Sequence, residues 1–133
     1  MFYGMELMIS QELSNAECRV LWFLMAFICY KDCILRKNGN SRGKALNIHE
    51  LAELYEANYD SFRKTLYSLR NKEVLIIEVE SKNVYIIMNP FIFCRGVKLD
   101  IATINRFKDT RWAQKLKLYY AKKNEAKNNR YDM

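Results

Sequence analysis

A chain of 133 residues that is 50% hydrophobic and 14% aromatic holds enough apolar material for one compact core and too little for two ordinary domains. One proline and four glycines argue against a disordered or low-complexity chain. The formal net charge is +7, and from Arg106 onward nine basic residues stand against three acidic ones, which accounts for +6 of that total. Such a tail suggests a polyanion partner, with a solvated helix face as the plain alternative.

In chain order, the start "MFYGMELMIS" has neither a basic n-region nor a small-residue cleavage site, so no secretory signal is read. Ser14 followed three residues later by Glu17 forms a capping box ahead of the apolar run "VLWFLMAFICY". The pattern predicts one helix continuing to about Arg36. The run from Val20 to Tyr30 falls short of the roughly 18 residues a membrane span needs, so no membrane partner is expected. Its middle is apolar on every side, which calls for cover from a second layer or a partner subunit.

The cysteines are Cys18, Cys29, Cys33 and Cys94. On a continuous helix Cys29 and Cys33 would share a face, but zinc would need two more ligands, and the single histidine, His49, has no partner spacing. No metal and no cofactor are expected, and the cysteines fit a reduced, cytoplasmic protein. The following loop, "GNSRGKA", is no P-loop: three residues rather than four separate its glycines, and Ala45 follows Lys44 where Ser or Thr is required.

Asn47 and Glu50 give a second capping box, opening a short helix through Leu51, Leu54 and Tyr55. Ala57 and Asn58 make a turn, and a further helix runs from about Asp60, its expected N-cap, to Asn71, with Phe62, Leu66 and Leu69 inward. "VLIIEVE", a polar "SKN" turn and "VYIIMN" then read as a hairpin that Pro90 brings to an end. Phe91, Ile92 and Phe93 would pack the exit onto the core, with Gly96 permitting the turn that follows. Asp100 and Asp109 are expected to cap further helices whose apolar stripe is Leu99, Ile101, Ile104, Phe107, Trp112, Leu116 and Tyr119 or Tyr120. The fold class is therefore mainly α with a small β-hairpin: a winged helix-turn-helix with extra C-terminal helices. Residues 1–98 form the winged-helix domain, and 99–133 a basic helical extension packed on the same core or on a dimer partner.

With Phe62, Leu66 and Leu69 buried, a step of about 100° per residue sends Asp60, Lys64, Tyr67 and Asn71 to the opposite side, with Ser61 and Ser68 beside them. Arg63 and Arg70 flank that face. These chemistries suit a DNA groove, so Ser61, Arg63, Lys64, Tyr67, Ser68 and Asn71 are the candidate contacts. Lys82 and Asn83 at the hairpin tip would meet the adjacent minor groove or backbone, and Lys115 and Lys122 add charge from the C-terminal segment. Glu50, Glu53 and Glu56 would point away from DNA. Glu78 and Glu80 alternate on one strand face as solvated carboxylates. No Ser-His-Asp set or paired-carboxylate motif is present, so no enzyme is expected.

The stretch from Ala45 to Gly96 resembles the winged-helix core of RepL-type plasmid replication proteins and their relatives in phages of Gram-positive bacteria. The features that carry the resemblance are the helix-turn-helix, the "K-x-VY" wing strand and "MNP-x-IF-x-RG" at Met88 to Gly96. It implies sequence-specific double-stranded DNA binding in replication initiation or its control, without catalytic residues, since such initiators recruit host enzymes. The segment "INRFKDTRWAQK" has no counterpart in it, and the same core could serve a phage or plasmid transcription regulator. A homodimer is expected from the surplus apolar surface, with host replication or transcription proteins as further partners. Two rivals belong to other classes: a winged-helix protein-interaction module, and a single-strand or RNA binder stacking bases on Tyr59, Tyr67, Trp112, Tyr119 and Tyr120.

Overall fold

The computed structural model describes residues 11–29, 31–92, 101–115, 117–118 and 121–122. Helix α1 spans Asn15–Leu24 and runs into a 3-10 turn at Met25–Phe27. Helices α2 (Ile48–Leu54) and α3 (Tyr59–Asn71) follow, then strands β1 (Leu75–Glu80) and β2 (Asn83–Met88), and helix α4 (Ile101–Phe107). The molecule is mainly helical with one antiparallel hairpin. Residues 111–115 add a last helical turn to the core-packed part.

Both expected capping boxes form. Glu17 N–H donates to Ser14 Oγ at 3.2 Å and Ser14 N–H to Glu17 Oε1 at 2.9 Å. Asn47 and Glu50 repeat the exchange at 2.8 and 3.4 Å. Helix α3 starts earlier than the sequence suggests, because Asn58 rather than Asp60 caps it, accepting from the N–H groups of Asp60 and Ser61. Asp60 lies instead in the first turn, where its charge complements the helix dipole. Helices α2 and α3 both end in Schellman-type turns, with Glu56 and Glu73 in the left-handed region at φ 56° and 63°. Ala57 N–H then reaches Ala52 O, and Val74 N–H reaches Leu69 O.

The long first helix is the main correction. The chain leaves helical geometry at Phe27, and Ile28 and Leu35 face each other as an antiparallel bridge across a tight reversal. Asp32 Oδ1 accepts from Ile34 N–H at 3.1 Å, and Cys33 takes φ 60°. Cys29 and Cys33 therefore sit in a turn, both buried, and not along a helix face. Leu35 N–H donates to Ile86 O, and Met88 N–H to Cys33 O, each at 2.9 Å. The reversal thus lays residues 33–35 along β2, opposite β1. Ile28, Cys29 and Leu35 are covered within the chain, which removes most of the surplus apolar surface.

One core joins Val20, Leu21 and Leu24 of α1, Leu51 and Ala52 of α2, Phe62, Leu66 and Leu69 of α3, and Ile86, Ile87 and Met88 of β2. β2 ends at Met88, ahead of Pro90, and the next residues do pack inward: Ile92 is buried and Phe91 half-buried. Asn89, fully buried, ties this exit down. Its Nδ2 donates to Glu73 O and to Thr110 Oγ1 at 2.9 and 3.1 Å, while its Oδ1 accepts from Phe91 N–H at 3.0 Å.

Phe107 and Trp112 belong to the same core, so this part of the C-terminal segment packs on its own chain. Ile101, expected in the apolar stripe, is exposed, and Thr110 rather than Asp109 caps the final turn, its carbonyl accepting from Gln114 N–H. Glu78 is not simply solvated: it pairs with Arg106 of α4 at 3.0 Å. The expectations for Phe93, Cys94, Gly96, Leu99, Asp100, Leu116, Tyr119 and Tyr120 lie outside the described residues.

Candidate nucleic-acid interface

Helix α3 is fixed on three sides. Asn58 holds its first turn, and its inner face is the Phe62, Leu66 and Leu69 row. On the α1 side, Glu17 receives Lys72 Nζ at 2.6 Å and Ser68 Oγ at 2.9 Å. Burial pushes the Glu17 carboxyl up, but the Lys72 ammonium, the Ser14 N–H and the Ser68 and Ser14 hydroxyls outweigh it and hold the pKa down to about 2. At the far end, Trp112 Nε1–H and Arg111 Nε–H both donate to Lys72 O.

This framework sorts the expected contacts. Lys64 and Asn71 are exposed on the outer face, and Lys64 makes no ion pair among the described residues. Tyr67 lies half-buried between Arg63 and Arg70, whose guanidinium carbons stand 5.1 and 4.6 Å from its ring centroid. The three planar groups form a ladder along one side of α3, with both cations exposed. Ser61 lies at the α1 edge, lining a shallow groove with Arg19 and Thr65. Ser68 departs from expectation. A helical wheel places it beside the open face, but α1 covers it and its hydroxyl is committed to Glu17.

Lys115 is likewise engaged. It pairs with Glu12 and lies 5.5 Å from the Trp112 ring centroid, so it acts in the fold. Lys122 is exposed. Lys82 and Asn83 are exposed at the hairpin tip, where Asn83 closes the ladder opposite Glu80 and Ser81 takes φ 57°. Beside α3, His49 of α2 stacks on Tyr59, with ring centroids 3.9 Å apart and planes 3° from parallel.

A further basic element lies outside the helix-turn-helix. Between Arg36 and Lys44 the chain carries Arg36, Lys37, Arg42 and Lys44 and no acidic residue. The turn is ordered: Arg36 Nη1 donates to Gly43 O at 3.1 Å, Lys37 N–H to Lys44 O at 3.0 Å, and Arg42 N–H to Asn40 Oδ1 at 3.1 Å. At Gly43 a Cβ would lie 2.6 Å from Lys37 O, so only glycine fits without a backbone shift. This loop and the hairpin tip face each other across an open cleft of about 410 Å³. Its signal in the sequence is four basic residues within nine positions with no acidic residue among them.

No family model, no curated protein and no solved structure matches the chain.

Proposed function

We propose that this chain is a winged-helix protein that binds double-stranded DNA, with α3 as the recognition helix and the β1–β2 hairpin as the wing. The observation that carries the reading is the outer face of α3. Among the described residues, Lys64, Asn71 and the Arg63–Tyr67–Arg70 ladder stand free of carboxylate partners there, on a helix whose other sides are fixed. A helix held in this way can present cations and planar groups to a groove without rearranging. The resemblance of Ala45 to Gly96 to RepL-type proteins directs the proposal to replication initiation or its control on a plasmid or phage. Transcription control by the same DNA-binding face is the second output. Homodimerisation stays within the proposal with a narrower motive, since the main exposed apolar side chain left on α1 is Trp22.

The test is duplex binding measured across salt concentrations. Phosphate contacts predict a logarithmic affinity that falls linearly and steeply with the logarithm of salt. Absence of duplex affinity at low salt defeats the reading in favour of a protein-interaction module. Preference for single strands in competition defeats it in favour of stacking on the arginine–tyrosine ladder.

A further inference from the structure

The cleft between the loop and the hairpin tip has a composition suited to a phosphodiester backbone. Lys82 projects from the tip, and Lys44 and Arg36 from the opposite wall, with Asn47 and Asn83 supplying polar groups and Glu50 as the one lining acid. Glu50 is already occupied: it accepts from Asn47 N–H and faces Lys44 Nζ at 3.6 Å. The Lys44 side chain nevertheless remains 75% exposed, and Lys82 has no acidic partner among the described residues. Arg36 spends Nη1 on Gly43 O and Nη2 on Asp32, while its Nε–H is buried with no hydrogen-bond partner among the described residues. Its charge is thus already shared with Asp32, and the cations open to the cleft are Lys44 and Lys82.

The cleft connects to α3 through the first turn of α2. Asn47 lines the cleft, and two residues on, His49 lies flat against Tyr59 at the start of α3. We infer that the loop around Arg36 to Lys44 and the hairpin tip form a second phosphate-binding surface, gripping the DNA backbone beside the groove that α3 occupies. The inference rests on the duplex-binding reading above. It adds a site built from Lys44 and Lys82, with Arg36 bracing the loop through Gly43 O and Asp32, and Arg42 exposed on the same loop. The backbone hydrogen bonds within the loop order the chain that carries Lys44 before the ligand arrives, which limits the backbone entropy lost on binding.

The experiment compares two charge-matched double variants of the full chain on one duplex across salt. Lys44→Gln with Lys82→Gln removes the cleft cations. Lys31→Gln with Lys108→Gln removes the same charge at exposed positions that do not line the cleft. The salt slope for the cleft variant should fall by about 2, with affinity at low salt down about tenfold, while the control moves less than half as far. Lys44→Arg with Lys82→Arg should restore the slope, and thermal melting should show all variants folded. A slope unchanged in the cleft variant, or changed no more than in the control, overturns the second surface and leaves α3 as the reader. Wild-type protein without duplex affinity overturns both.

Discussion

Trp112 donates its indole N–H to the carbonyl of Lys72 at 2.6 Å, so the C-terminal segment closes the end of a helix forty positions earlier in the chain. Helix ends leave their last carbonyls without intrahelical donors, and here Trp112 and Arg111 together supply them to Lys72 O. Trp112→Phe keeps most of the buried ring and leaves Lys72 O to Arg111 alone. A loss of about 1–2 kcal/mol is expected in urea denaturation. Trp112→Ala adds a cavity and should cost about 3–5 kcal/mol. Equal stability of the Phe variant and the wild type would show the hydrogen bond to be inert.

Acid should weaken the molecule through Glu17. Its folded pKa, about 2, lies below the usual 4.5, so the unfolded chain binds the proton more readily than the folded one. The stabilisation is complete above pH 4.5 and drains away as pH falls from there toward 2. By linkage it amounts to roughly 3 kcal/mol at most. Glu17→Gln should be less stable at neutral pH by about 2–3 kcal/mol, with a flatter decline between about pH 5 and pH 2.5. Denaturation midpoints measured at several pH values decide it, and parallel declines for both proteins would contradict the assignment.

Ser68 and Lys64 occupy one helix and should separate cleanly. Ser68→Ala removes a hydrogen bond to a buried carboxylate and should lower stability by about 1–2 kcal/mol while leaving duplex affinity unchanged. Lys64→Ala should leave stability within about 0.5 kcal/mol and weaken duplex binding, with the salt slope reduced by about 1 if the ammonium meets a phosphate. Melting and binding measured on both variants give four readings, and an exchange of roles between the two residues would refute the orientation of α3 on DNA.

Glu56 ends α2 at φ 56°, a conformation in which its Cβ is strained. Its side chain is exposed, so Glu56→Gly removes the strain and sacrifices no buried contact. A gain of about 0.5–1 kcal/mol is expected by thermal or urea unfolding, after the greater freedom of glycine in the unfolded chain is deducted. A loss of stability would mean that the Glu56 side chain makes a contribution the left-handed geometry conceals.

The features legible in the sequence are those set by residues close together. Ser14 with Glu17 and Asn47 with Glu50 announce their helices within four positions, and the β-branched stretch around Ile76 and Ile77 changes the period to that of a strand. Residues 20–30 defeat this approach, because a fully apolar run has no polar face to distinguish a helix from a buried extended segment. The reversal that follows is made by Asp32 and Cys33 without glycine or proline, so the usual punctuation is missing. In the candidate interface, Lys64 and Asn71 follow from helical geometry alone. Ser68 does not, since only the position of α1 decides that Glu17 covers it. Lys115 is similar: Glu12, distant in sequence, engages it.

A free two-stranded hairpin would offer two unpaired edges to any passing strand. Here residues 33–35 occupy the outer edge of β2, and among the described residues no strand pairs with the other edge of β1. That edge carries Glu78 and Glu80, with Val79 exposed between them. A second chain adding in register would have to bring its own backbone alongside two carboxylates, one already tethered to Arg106. Charge on both sides of Val79 disfavours strand addition at this hairpin, so Glu78→Ala with Glu80→Ala is expected to raise self-association in light scattering at high protein concentration, and unchanged scattering would contradict it.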